Sequence, residues 1–247
     1  MSRREGRQNS KRPLRLFGLL LSLIFAICPP SAWGEEQYFM EPVRPRASAD
    51  FPRSLEQMLG PQGFRVSTLS DNTKTVVCEI FWARTIQGRD VPRESSKALY
   101  PSLKPGALVG VIHFLITERY VREFRSQIFK PGYYTMRYAE APEGATENAP
   151  ADFVLLSPAS ADRNPAQTVP LKELVRRGRL ASHTKRPAMM SLVAIDTDLS
   201  FPSLTTDDEG TCTLQVTLPM RSKKSGPKQE LPLALIVVTA IPVDLGD

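Results

Sequence analysis

Alternation of apolar and polar positions organises most of the chain beyond residue 70. In Thr75-Val76-Val77-Cys78-Glu79-Ile80-Phe81-Trp82, the set Val76, Cys78, Ile80 and Trp82 shares one face of a strand with period two. The stretches 107–117 and 133–138 read as strands as well, each entered through a Lys-Pro-Gly triplet at 104–106 and 130–132. Proline presets the first turn residue and glycine accepts positive φ at the second, so each triplet predicts a type II turn. In the later strand Tyr134, Met136 and Tyr138 are expected inside, and Tyr133, Thr135 and Arg137 outside.

Further strands are expected at 120–129, 153–156, 189–195, 211–220 and 233–241, the apolar run Phe153-Val154-Leu155-Leu156 being central. In 211–220, Cys212, Leu214, Val216 and Leu218 alternate inward against Thr211, Thr213 and Gln215 outward. The best short helix lies at 171–177, where Leu171, Leu174 and Val175 share a face between Pro170 and Gly178.

The stretches 87–104, 140–151 and 162–170 read as loops, and 221–230 as a basic hairpin loop. Residues 35–70 carry Pro42, Pro45, Pro52 and Pro61 and read as an irregular arm, with helical character only at 54–59. Many short strands, one short helix and no βαβ alternation predict an all-β protein, an antiparallel β-sandwich of jelly-roll type with one short helix and an irregular N-terminal arm.

The first 34 residues change the picture of compartment. Arg3, Arg4, Arg7, Lys11, Arg12 and Arg15 precede the apolar run Leu16 to Cys28, followed by Pro29-Pro30 and the small-residue site Ala32-Trp33-Gly34. That order predicts an export signal cleaved after Gly34. The apolar run stops well short of the roughly 20 residues a membrane-spanning helix needs, so no stable span is expected after processing. Ile27 before Cys28 is not the small residue a lipoprotein site requires. The expected organisation is a signal at 1–34, an arm at 35–70 and a sandwich domain at 71–247.

Charge then matters less than it first does. The whole chain carries a formal +6, but residues 1–34 hold six of its 32 Lys/Arg and one of its 26 Asp/Glu. The mature chain is nearly neutral, which removes the argument for a nucleic-acid partner. Cys78 and Cys212 remain after processing, and an oxidising compartment predicts a disulfide between them, both lying at core-facing strand positions.

Candidate chemistry is sparse. The chain has two histidines, His113 inside an apolar strand and His183 in the polar loop Ser182-His183-Thr184-Lys185-Arg186. His183 is the better ligand-binding candidate of the two, and neither a Gly-x-Ser-x-Gly elbow nor any other nucleophile context accompanies Ser182. His-Glu-x-x-His and paired Cys-x-x-Cys spacings are missing, so neither metal nor cofactor is expected. The acidic clusters 196–198 and 207–209 read as solvated turns, and the basic runs 185–186 and 221–224 as solubilising charge. Tyr133, Tyr120, Phe51, Phe64 and Tyr38 are aromatic candidates for sugar stacking, with packing as their default.

An ordered set of segments resembles a group of uncharacterised exported bacterial proteins of acidobacterial type. These are Leu108-Val109-Gly110-Val111-Ile112-His113-Phe114, the turn and strand 129–138, Asp152-Phe153-Val154-Leu155-Leu156-Ser157-Pro158-Ala159, and 171–192 ending in Pro187-Ala188-Met189-Met190-Ser191-Leu192. The resemblance implies a β-sandwich and an exported location, with no activity attached. Two histidine-bearing loops of that group are altered here, at 143–148 and 182–188, so no shared ligand site is carried over. The expectation is an exported, non-catalytic binding or structural module of the bacterial envelope, its partner an envelope protein or polysaccharide. The alternatives are an envelope hydrolase using His183, and an accessory subunit docking through a sheet edge or the arm.

Overall fold

Residues that alternate along the chain pair into a sheet, and the ladder between them is traced in a computed structural model that describes residues 37–45, 51–70, 72–90, 98–115, 122–123, 127–142, 150–182, 185–223 and 226–239. The strands are β1 (Gln37–Val43), β2 (Leu59–Ser70), β3 (Thr73–Ala83), β4 (Ile86–Gln87), β5 (Leu108–Phe114), β6 (Arg122–Glu123), β7 (Gln127–Ile128), β8 (Gly132–Glu140), β9 (Asp152–Pro158), β10 (Met189–Val193), β11 (Ser203–Thr206), β12 (Cys212–Arg221) and β13 (Gln229–Val238). A single turn of helix, α1 (Arg53–Glu56), precedes β2, a 3-10 turn follows β9, and α2 (Leu171–Ala181) joins it to β10.

The expected antiparallel all-β architecture is present. One unbroken path, β1-β2-β3-β5-β8-β9-β10-β13-β12-β11, links ten strands through antiparallel ladders, and β4 joins β12 in parallel. The sheet curls until β11 comes into contact with β1, a nearly closed, barrel-like wall in place of two stacked sheets. Strand twist accumulating in one direction along so long a path produces the curl. The last four strands form a Greek key, β11-β12-β13 as hairpins with β10 returning beside β13.

The expected irregular arm at 35–70 contains β1 and β2, which belong to the main sheet, with Glu41 opposite Arg65 and Pro42 opposite Phe64. The described residues belong to one compact unit. Pro42 is tolerated because β1 pairs on one side only. Pro61 lies in an irregular stretch where Leu59 faces Ala83 and Gly63 faces Phe81, four residues of β2 spanning two of β3. Within the expected strand at 120–129, the described residues include the two-residue strands β6 and β7, which pair in their own small sheet.

The turn at 104–107 has the expected form, with Gly106 at φ +81° and the Ala107 amide donating to the Lys104 carbonyl at 3.0 Å. The turn at 130–133 does not: Gly132 lies at φ +138°, and the Tyr134 hydroxyl donates to the Lys130 carbonyl at 2.8 Å.

The main core fills the inside of the curl, with Cys78, Ile80, Trp82, Ile112, Met136, Tyr138, Leu156, Cys212, Leu214 and Leu235 among its buried members. A second, smaller core lies where α2 packs over β8, β9 and β10, and contains Ala139, Leu155, Val169, Leu174 and Met189. This second layer corrects the face assignments for β8. Thr135 and Arg137 are fully buried, because α2 and the 159–170 segment cover the face that an isolated strand would show to water. Gln215 is buried too, its side-chain oxygen accepting from the Asp196 amide at 2.9 Å.

The helix runs four residues past its expected end. Gly178 does not terminate α2: it lets the helix approach β9, where an added Cβ would lie 3.0 Å from Pro187 Cβ and 3.3 Å from the Leu156 carbonyl oxygen. Leu171 is 42% exposed, so the buried stripe is Leu174, Gly178 and Ala181.

Candidate functional site

The wall is interrupted beside β12. That strand pairs with β11 over 212–215 and with β4 over 220–221. Among the described residues, nothing pairs with Val216–Pro219 on that side. The irregular start of β2 and the end of β3 stand opposite, and the space between them is a cleft of about 450 Å³. Phe64, Trp82, Phe201, Val216 and Leu218 supply apolar walls, while Arg84 and Lys228 lie exposed at its rim. Its size and composition are those of a small-molecule site, predominantly apolar with a few polar groups.

A polar ladder crosses the outer face of five adjacent strands. Cross-strand register places Glu41 beside Arg65, Arg65 beside Glu79, Glu79 beside His113, and His113 beside Tyr133. Arg65 donates through Nε and Nη2 to Glu79 Oε1 at 3.0 and 2.6 Å, and His113 Nδ1 lies 3.3 Å from Oε2. The hydrogen bond with His113, helped by Arg65, lowers the Glu79 carboxyl against the opposing effect of burial. The His113 ring stacks on Tyr133 at 3.8 Å between centroids. Phe51 packs on the same tyrosine at 5.2 Å. The imidazole is thus held by packing on one side and a carboxylate on the other.

Two buried clusters tie loops to the sheet. Arg137 donates to both Asp162 oxygens at 2.7 and 2.9 Å, and to the carbonyls of Gly106, Gln167 and Pro165 at 2.7, 2.7 and 3.3 Å. Elsewhere the Tyr138 hydroxyl donates to Asp152, the cross-strand neighbour of Glu140, which itself pairs with Arg89. The Leu99 amide also donates to Asp152. Burial raises the Asp152 carboxyl, against the lowering effect of those two donors. Tyr100 fastens β10 to β13, donating to the Val193 carbonyl at 2.6 Å and accepting from the Ala234 amide at 2.9 Å.

His183 lies outside the described residues, as does Tyr120. Its neighbour Ser182 is buried where α2 ends, bridged to Phe129. Cys78 and Cys212 are buried free thiols of one core cluster. Burial pushes both up, Cys212 to about 12, and the charge of Cys212 contributes at Cys78. The acidic clusters are turns: Asp196 accepts from the Asp198 amide, and Asp207 from the amides of Glu209 and Thr211. Among the described residues no group of three metal-ligating side chains converges. No described helix is long and apolar enough to cross a membrane. Of the described aromatic candidates only Phe64 lines the cleft; Phe51 is buried, and Tyr38 and Tyr133 pack partly against the core.

Sequence reasoning missed the cleft because its walls come from four separate segments, 60–64, 82–84, 201–202 and 216–219. No local pattern marks it. No family model, curated protein or solved structure matches the chain.

Proposed function

We propose that the chain is an exported, non-catalytic binding module of the bacterial envelope, and that the cleft beside β12 is where it binds. The observation that carries the reading is the gap in the pairing of β12 at 216–219, lined by Phe64, Trp82, Phe201, Val216 and Leu218 and rimmed by Arg84 and Lys228. Such a lining suits an amphipathic ligand, its apolar body against the rings and its anionic end at the rim. The basic, apolar, small-residue order of 1–34 supports export, and the resemblance to exported acidobacterial-type proteins points the same way.

Trp82 offers a direct test, because cleavage after Gly34 removes Trp33 and leaves it the only tryptophan. Decanoate titrated into the mature protein is expected to shift Trp82 emission saturably, with Lys228→Glu weakening the effect. Unchanged emission with decanoate and with decanol would remove the cleft from consideration. Export is checked separately by mass spectrometry of protein from the native host, where a mature chain beginning near Glu35 is expected and an intact Met1 is not.

Cys78 and Cys212 are free thiols of one core cluster in the structure, and we propose that the oxidising compartment joins them in a disulfide. A bridge closing so long a loop contributes about 3–5 kcal/mol, chiefly by restricting the unfolded chain. Mature protein denatured without reductant is expected to show no titratable thiol; two thiols per chain would reject the bridge.

A further inference from the structure

A second cavity, of about 500 Å³, opens between the 160–170 segment and the first turns of α2, on the outer side of the sheet and apart from the cleft. Its wall already holds an oxyanion. Arg176 grips the Glu173 carboxylate with two parallel hydrogen bonds, Nε and Nη2 at 2.7 Å each, and Arg177 Nε adds a third at 2.7 Å. A bidentate fork from Arg176 and a single bond from Arg177 converge on one carboxylate, the donor chemistry that recognises phosphate and sulfate.

The surrounding charge is unbalanced. Asp162, the other acid in the wall, is engaged by the buried Arg137 at 2.7 Å and by Arg177 Nη1 at 3.6 Å. Arg163 is exposed and, among the described residues, has no carboxylate partner. The cavity wall therefore carries three guanidinium groups, Arg163, Arg176 and Arg177, against the two carboxylates of Glu173 and Asp162, and Asn164 and Thr168 add uncharged polar groups. The Glu173 carboxyl, lowered to about 2 chiefly by Arg176 and then Arg177, stays ionised across the physiological range.

We propose that this cavity binds a phosphate or sulfate group carried on a small polar molecule, and that Glu173 is a resident anion which the ligand displaces from Arg176. Displacement exchanges one carboxylate for an oxyanion with more acceptor oxygens. The released Glu173 side chain, already 31% exposed, turns to water.

Neighbouring residues Arg176 and Glu173 should respond with opposite sign. Calorimetric titration of the mature protein at constant ionic strength, with inorganic phosphate and with glucose 6-phosphate, is expected to give saturable binding. Arg176→Ala should weaken it about tenfold, the loss of a charge-assisted pair. Glu173→Gln, which removes the internal competitor, should tighten it at least about threefold. Tighter binding of glucose 6-phosphate assigns a sugar-borne group, whereas equal binding assigns the free anion. Both substitutions lie on the solvent side of α2, and a circular dichroism melt confirms that each variant is folded. No heat up to about 10 mM of either probe, an unchanged affinity in Arg176→Ala, or weaker binding in Glu173→Gln would each overturn the proposal.

Discussion

The Arg137 guanidinium has no exposure, and it is tolerated because its polar hydrogens meet Asp162 and three carbonyls. Breaking such a pair from one side leaves a buried charge, so Arg137→Met is expected to lower stability by about 3–5 kcal/mol in urea unfolding. Arg137→Lys should recover only part of this, since a lysine cannot fork onto Asp162. Asp152 and Glu79 give pH dependences of opposite sign. The folded carboxyl of Asp152 is raised above 3.8, so the folded state holds its proton more tightly and stability from this group falls as pH rises through that window. Asp152→Asn should flatten that fall. Glu79 is lowered below 4.5, so its contribution is present above 4.5 and lost as pH drops through the folded value. The deficit of Glu79→Gln is expected to be about 0.5–1 kcal/mol at neutral pH, because Arg65 is partly exposed, and to vanish in acid. Urea melts between pH 3 and 7 check both.

At the scale of elements, α2 shows how packing overrides propensity. Gly178→Ala improves intrinsic helix propensity by about 1 kcal/mol, yet places a methyl 3.0 Å from Pro187 Cβ and 3.3 Å from the Leu156 carbonyl oxygen. The expected net effect is destabilisation of about 1–3 kcal/mol, the cost of overpacking, read as a lower melting temperature. A stabilised variant would mean that α2 lifts from β9 without loss. The helix itself was legible from the spacing of Leu171, Leu174 and Val175, but its buried stripe was not. Leu174, Gly178 and Ala181 form that stripe because β9 is where the helix lands, and a helix read alone contains no record of its partner.

Across the whole molecule, protection should follow position in the curled sheet. β8 and β9 are central and covered on both faces, whereas β1 and β11 end the ladder and meet without pairing. Hydrogen exchange is expected to be slowest in β8 and β9, near the global unfolding limit, and fastest among strands in β1 and β11. Equal protection throughout would mean that the seam is closed by hydrogen bonds in solution. Ligand in the cleft should slow exchange at 216–219 selectively, because that stretch borders the gap.

Local chemistry was enough to locate β3, β5, β8, β9, β10, β12 and β13, the helix and the turn at 104–107, since period-two and helical patterns and a Pro-Gly pair act within a few residues. The inward placement of Cys78 and Cys212 was legible for the same reason. Prolines concealed β1 and β2, because their tolerance depends on an edge and on an irregular register that exist only once strands have partners. The burial of Thr135, Arg137 and Gln215, the path curling from β1 round to β11, and the cleft at 216–219 were decided by tertiary structure alone. Each depends on segments far apart in the chain, and no local preference of a residue encodes which distant surface will cover it.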